Sequence, residues 1–362
     1  MNKIFCNGWE WAVHESDLLH GWFEHWPDLM DSASVKKNPV RSVFTVDDRF
    51  FVKYFSPSGV FNQLRSFIIP KAAAEFKSGV ALEQSGIPVV RYLGWGRKGA
   101  QSMLVSAAEP GAVTVLQQWC RQPQMRPVLL KKIADVTRLL VVKHWFHPDY
   151  HAGNLLWSDS NVCLVDVYGL RQTNNFSKKQ KLRMASIIVG LRRDINDDEA
   201  HKFLADTGIA GSLTEAASIW RDALFVAGRR IMHNWPKRRR QILDGYSKFV
   251  ETKDFIQLRK LEDGSIADLE KSVKAVYAPE IALDLWLLSF RLELQGIPHR
   301  RVLAIEQNNT VYFENPEVGA EVEPAKILSF INRAALLGII IEPNTIVQLK
   351  DGKPILWLNE TI

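Results

Sequence analysis

Between Phe146 and Gly169 the chain sets His147-Pro148-Asp149 ahead of Asn154 with four residues between, then returns through two apolar runs to Asp166-Val167-Tyr168-Gly169. Nothing else in the sequence constrains the fold so tightly. The runs Leu155–Trp157 and Val162–Val165 read as paired strands, and such a hairpin carries Asp166 back beside Asn154. A helical pattern over Val128–Trp145 precedes the loop. A lone His-x-Asp or Asp-x-x-Gly is commonplace in turns. Order, spacing and the intervening strands together carry the information.

The residue types suit transfer of a phosphoryl group to a hydroxyl. Asp149 can orient the attacking hydroxyl and accept its proton. Asn154 and Asp166 offer the hard oxygen ligands that Mg²⁺ prefers, and His147 is expected to support the loop. Upstream, Lys53 sits inside the apolar strand Phe50-Phe51-Val52-Lys53-Tyr54-Phe55, where an unpaired ammonium is costly. Glu75, on the next helical segment, can pair with it and hold it toward the α and β phosphates of ATP; Glu83 on the same helix competes for that role. No G-x-G-x-x-G loop precedes Lys53. The stretch 36–43 stands in its place, with backbone amides and Lys37 or Arg41 as candidate phosphate contacts. The adenine is expected against the backbone of the connecting segment Ser106, Ala107, Ala108 and Glu109.

Around these residues the pattern changes once. Strand, turn and strand run from Val40 to Phe55 through Asp47-Asp48. Pro57-Ser58-Gly59 breaks the run, a helix follows over Lys71–Gln84, and short strands come at Val89–Leu93 and Gln101–Val105. After Glu109-Pro110-Gly111 helical spacing dominates, over Val115–Cys120, Val128–Trp145, Lys178–Leu191, Asp198–Asp206 and Leu213–Met232. A sheet-rich first lobe and a helical second lobe predict a ligand cleft between them.

Composition narrows the class. The 362 residues are 46% hydrophobic and 24% charged, as in ordinary globular proteins. Three scattered cysteines, Cys6, Cys120 and Cys163, argue against a disulfide framework or a zinc site. The first residues carry charges where a signal peptide needs an apolar run, and no apolar window spans a bilayer. A soluble, cytoplasmic protein is expected. The net charge of +6 suits anionic partners, either nucleotide phosphates or an acidic membrane. No recognition motif supports nucleic acid. Trp9, Trp11, Trp22 and Trp26 crowd the N-terminus and read as core packing rather than an interfacial surface.

The stretches FFVKYF, AAAEFKSGVALEQSGIPVVRYLGWG, MLVSAAEPGA, FHPDYHAGNLLW and LVDVYGL resemble the bacterial lipopolysaccharide kinase family, over roughly residues 36–250. Pro148 and Val167-Tyr168 depart from the usual pattern without removing a ligand. The resemblance implies an α+β, two-lobed protein-kinase-like fold that uses ATP and Mg²⁺. Its acceptor would be a heptose or Kdo hydroxyl of the lipopolysaccharide core and lipid A glycolipid, at the cytoplasmic face of the inner membrane. Lys237-Arg238-Arg239-Arg240 with Trp235 would offer a peripheral membrane contact; a solvated helix start is the plainer reading. The domains would be 1–108 (N-lobe with an N-terminal extension), 109–250 (C-lobe) and 251–362 (α+β extension). In the extension, Leu292–Pro298 echoes Leu82–Pro88, and Pro343–Ile346 with Pro354–Asn359 parallels the catalytic hairpin. A truncated, inactive repeat and an unrelated appendage are both open, with Asn359 falling where Asp166 would be. The alternatives for the whole are a kinase of another small molecule or of protein, and a nucleotide-binding pseudokinase without turnover.

Overall fold

Apolar alternation at the front of the chain builds one antiparallel sheet. The computed structural model describes residues 2–14, 34–38 (backbone alone), 41–46, 49–246, 248–254, 256–261, 265–319 and 321–358. Trp22, Trp26 and Asn359 lie outside these, as does the Lys37 side chain. By contacts the chain divides into two compact units, residues 1–184 with 206–208 and residues 185–205 with 209–362.

The first unit opens with β1 (Asn2–Cys6), β2 (Trp9–Val13), β3 (Ser34–Asn38), β4 (Arg41–Val46) and β5 (Phe50–Phe55). Then come α1 (Val60–Ile68), α2 (Lys71–Gln84), β6 (Tyr92–Lys98) and β7 (Gln101–Ala107). The sheet order is β1-β2-β6-β7-β5-β4-β3. Trp9, Trp11, Val13, Val46, Val52 and Val105 bury one of its faces, so these two tryptophans are core residues. Since side chains alternate along a strand, Lys53 points to the other face from Val52. Hairpin β1–β2 extends the sheet at β6, and neither it nor α1 was legible as an element.

The unit continues with β8 (Val113–Thr114), α3 (Val115–Arg121) and α4 (Arg126–Val142). Next are β9 (Trp145–Phe146), β10 (Leu155–Ser158), β11 (Asn161–Leu164), β12 (Arg171–Gln172) and α5 (Lys178–Met184). Thr114 and Gln117 form a reciprocal capping box that starts α3. Hairpin β10–β11 is stapled to the segment after α2. The Val90 N–H donates to the Leu164 carbonyl and the Leu164 N–H to the Pro88 carbonyl, both at 3.0 Å.

The second unit contains α6 (Ser186–Val189), α7 (Asp197–Asp206) and α8 (Leu213–Leu243). Beyond them lie β13 (Val250–Lys253), β14 (Ile256–Arg259), β15 (Val273–Val276), α9 (Pro279–Gln295), β16 (Val302–Glu306) and β17 (Thr310–Phe313). α10 (Pro324–Leu336), β18 (Ile346–Gln348) and β19 (Pro354–Leu356) complete it. The expected helix over Lys178–Leu191 is two short helices, α5 and α6. Helix α8 outruns its expected end at Met232, passing through Pro236, so Lys237–Arg240 lies in its last turns. Cations there meet the negative end of the helix dipole. Among the described residues no helix is long and apolar enough to cross a membrane.

Segment by segment, the second unit repeats hydrogen bonds of the first. Gly86 and Gly296 both end a helix at φ 67°. Ile87 N–H donates to Leu82 O at 3.0 Å and Ile297 N–H to Leu292 O at 2.9 Å, the closing bond of such a cap. Register slips at Tyr92/Gly94 against β7 and at Val302/Ala304 against β17. Arg300 N–H donates to Leu356 O and Leu356 N–H to Pro298 O, both at 2.9 Å, as Val90 and Leu164 do in the first unit. Val165 N–H reaches Asn154 O at 3.0 Å, and Trp357 N–H reaches Thr345 O at 2.7 Å. The strand order repeats as well: β13-β14-β16-β17-β15 matches β1-β2-β6-β7-β5, and among the described residues the second sheet has no counterpart of β3 and β4.

This register fixes what replaces each chemical group. Asn154 corresponds to Thr345 and Asp166 to Leu358, one position before Asn359. Lys53 pairs with Leu104, and at the matching rung Ala275 pairs with Val311. Glu75 stands seven residues before Leu82, and Leu285 seven before Leu292. The helix-ending residues with positive φ, His144 and Gly338, precede loops of unequal length, 145–153 and 339–344. Counted back five residues from Thr345, as Asp149 stands before Asn154, the position falls on Ile340, so no carboxylate takes the place of Asp149.

Candidate active site

Lys53 is the centre of the site, and burial explains its partners. Its ammonium donates to Glu75 Oε1 and, at 3.1 Å, to Asp166 Oδ1. An ammonium on a core strand needs such acceptors, because desolvation without them costs several kcal/mol. Glu75, and not Glu83, is the partner. Glu83 is exposed, and its carboxylate lies 4.0 Å from His14. Burial pushes the Glu75 carboxyl above its ordinary pKa, against the pull of the Lys53 charge.

Tyr92 secures Glu75 from the other side, donating its hydroxyl to Oε1 at 3.2 Å. The ring reaches that point across Gly79 of α2, where a Cβ would fall 2.0 Å from a Tyr92 ring carbon. Alanine normally favours a helix over glycine by about 1 kcal/mol; here the clash reverses that preference. Burial, then the Glu75 charge, drives the Tyr92 phenol well above its usual pKa.

Asp166 sits at φ 59°, in left-handed backbone that L side chains seldom adopt. Burial works against its ionisation. The Lys53 ammonium and the Arg41 guanidinium outweigh it and hold the carboxyl below its usual pKa. Arg41 reaches Asp166 Oδ2 with both terminal nitrogens at 3.5 Å. Sequence reasoning placed Arg41 near a phosphate and missed this pair.

The loop before Asn154 is built to be rigid below and open above. His147 is buried, and its Nδ1 accepts from the Asp149 N–H at 3.2 Å. Tyr150 is buried with its hydroxyl 2.8 Å from Thr137 of α4. Asn154 Nδ2 donates to the Asp149 carbonyl at 3.0 Å. With the backbone so pinned, the Asp149 side chain stays 76% exposed, its carboxylate 3.7 Å from His151 Nε2. A carboxylate held out on a fixed loop can meet an incoming hydroxyl.

Lys53, Asn154 and Asp166 line one cleft of about 760 Å³ in the first unit, with Arg41, Val43 and Tyr92. Residues Ser106 to Glu109 form part of its wall. Ser106 Oγ is tied to the Phe51 carbonyl at 3.2 Å, and the Ala108 N–H to the Arg49 carbonyl at 2.8 Å. The Glu109 N–H makes no hydrogen bond among the described residues. Two apolar strands, a free backbone donor and a fixed cation suit a flat heterocycle that carries phosphates. For a metal, Asn154 Oδ1 and the Asp166 carboxylate are the available donors. No group of three or more His, Cys, Asp or Glu gathers elsewhere among the described residues. Two hard oxygens fit Mg²⁺, which keeps several waters and takes its remaining ligands from phosphates.

The buried histidines predict a pH dependence. Burial lowers the His147 pKa to about 4, against the attraction of Asp149 and Asp166. In the second unit, burial also holds His299 well below its usual value. There Nδ1 lies 2.8 Å from the Ile297 carbonyl and Nε2 3.0 Å from Ser289 Oγ. Both pKa values are depressed on folding, so the unfolded chain takes up these protons first as pH falls from about 6.5. Stability from the neutral imidazoles is present above pH 6.5 and is lost progressively toward pH 4. For His147 alone the loss by pH 4 is roughly 3 kcal/mol. Urea midpoints read from pH 7 down to pH 4 should fall, and His147→Asn should fall less steeply than the wild type.

No family model and no curated protein matches the sequence. Among solved structures, the chain is similar to one titled "WaaP in complex with acyl carrier protein", at 16% identity and a TM-score of 0.45. The match covers 59% of this chain and 97% of that one.

Proposed function

We propose that the chain is an ATP- and Mg²⁺-dependent phosphotransferase of two-lobed, protein-kinase-like fold, acting on a sugar hydroxyl of the lipopolysaccharide core. The observation that carries this reading is Lys53 bracketed by Glu75 and Asp166 in a cleft beside the exposed Asp149. Structural ion pairs alone do not require an open carboxylate on a pinned loop.

Each residue then has a task. Lys53, steadied by Glu75, faces the α and β phosphates. Asn154 and Asp166 would hold Mg²⁺, which when bound neutralises phosphate charge. Asp149 aligns the acceptor hydroxyl and takes its proton. His147 and Tyr150 keep the loop in place, and the backbone from Ser106 to Glu109 meets the adenine. The acceptor follows from the resemblance of the motifs to lipopolysaccharide kinases, and the cations Arg229, Arg230, Lys237 and Arg240 of α8, which make no ion pair among the described residues, suit a phosphate-bearing glycolipid. Work at the cytoplasmic face of the inner membrane agrees with that acceptor. In a strain deleted for this protein the core should lack one phosphate, restored by the wild-type chain and not by Asp149→Ala. An unchanged core would overturn the acceptor assignment and favour another hydroxyl substrate.

In the same reading residues 1–108 hold the nucleotide, 109–250 form the helical lobe, and 251–362 are a degenerate copy of the first lobe and its catalytic hairpin. The shared hydrogen bonds support common descent, and Ala275, Leu285, Thr345 and Leu358 leave that copy without a charge for phosphate or metal. Calorimetric titration with a non-hydrolysable ATP analogue and Mg²⁺ should therefore give one nucleotide per chain. A second site would contradict the degenerate reading.

A further inference from the structure

Helix α1 is turned inside out. Its one buried side chain is Ser66, while Val60, Phe61, Leu64, Phe67 and Ile68 are exposed, Phe61 to 89%. At about 100° per residue these five occupy one arc of the helix, opposite the serine. Globular helices bury such a stripe. Single exposed apolar residues are ordinary, but a contiguous patch marks a contact surface. Ile69, directly after the helix, adds to it at 61% exposure.

Charge selects the occupant. From Ser56 through Leu82 every exposed charged side chain is a cation: Arg65, Lys71 and Lys77. Glu75, the one acid in that stretch, is buried against Lys53. An apolar arc flanked by cations that make no ion pair among the described residues is the pattern of a helix lying in the interface of an anionic bilayer.

We propose that the exposed face of α1 docks the protein on an anionic lipid bilayer, with Phe61, Leu64 and Ile68 entering the headgroup–acyl boundary and Arg65 and Lys71 meeting lipid phosphates. It deepens the glycolipid-acceptor reading and rests on it for its purpose, since an acceptor anchored in a membrane must be met there. The surface needs no rearrangement of the cleft.

Co-sedimentation of the full chain with phosphatidylcholine vesicles, with and without phosphatidylglycerol, tests it. The wild type should pellet with the anionic vesicles and stay in solution with the neutral ones. The triple variant Phe61→Ser/Leu64→Ser/Ile68→Ser should lose anionic-vesicle binding by roughly tenfold or more, and Arg65→Glu/Lys71→Glu should lose it as well. All these side chains are exposed, and an unchanged circular-dichroism melt establishes that the variants fold. Nucleotide binding should be unaffected. Equal pelleting of wild type and triple variant, or no pelleting of the wild type, overturns the proposal. So does a change in sedimentation velocity on substitution without a change in vesicle binding, which would mark α1 as a protein contact. Vesicle binding that survives alongside a failure to transfer phosphate would sink the functional reading and leave this surface standing.

Discussion

Asp149→Ala should lower the turnover number for phosphoryl transfer by about 10²–10⁴-fold while leaving nucleotide affinity within a factor of about two. The split follows from where the carboxylate sits. It is largely exposed at the top of a loop whose backbone is held by His147, Tyr150 and Asn154, none of which depends on the Asp149 side chain. In the proposed reading its removal deletes one proton acceptor and one orienting group, and little else. In that reading nucleotide affinity depends on Lys53, Asn154, Asp166 and the cleft wall, which the substitution does not touch. Steady-state kinetics with a fluorescent-nucleotide displacement titration separate the two quantities. Equal losses in turnover and in affinity would move Asp149 from the chemistry into the binding site.

Asp166→Asn should be at least as damaging and in a different way. The substitution removes the negative charge from the two-donor set and leaves Lys53 and Arg41 without their shared anion. A bound metal contributes several kcal/mol of charge stabilisation, so a loss on the order of 10³-fold in turnover is expected. Nucleotide affinity measured with Mg²⁺ should fall too, while affinity measured in EDTA should change little. Loss of Mg²⁺ dependence is thus the signature that distinguishes this variant from Asp149→Ala. An Asp166→Asn protein whose nucleotide affinity still rises with Mg²⁺ would remove Asp166 from the metal site.

The legible part of this site is the part held together by local chain geometry. Asp149, Asn154 and Asp166 lie on one loop and the hairpin after it, so their spacing states their proximity. Lys53 and Glu75 were legible because a lysine on an apolar strand must find an acid, and the next helix offers one. Long-range partners were not. Arg41 meets Asp166 across 125 positions, and no local pattern marks that pair. Tyr92 reads in sequence as one more core aromatic; only its buried hydroxyl, which must find an acceptor, hints at Glu75. Helix α1 escaped because binary patterning assumes that apolar stripes face inward, and this one faces out. The repeat shows weakly in sequence, through Leu-Glu-x-x-Gly-Ile-Pro, because what the two units share is mostly backbone register. Register places Leu358 opposite Asp166, a correspondence that counting residues misses by one.

The most direct test of the whole account is transfer of labelled γ-phosphate from ATP to a lipopolysaccharide acceptor lacking its core phosphate. The account predicts label in the glycolipid with Mg²⁺ and the wild-type chain, and none with EDTA or with Asp149→Ala. A wild-type chain that binds ATP and Mg²⁺ yet labels no acceptor, or an Asp149→Ala protein that labels it equally well, would contradict the account.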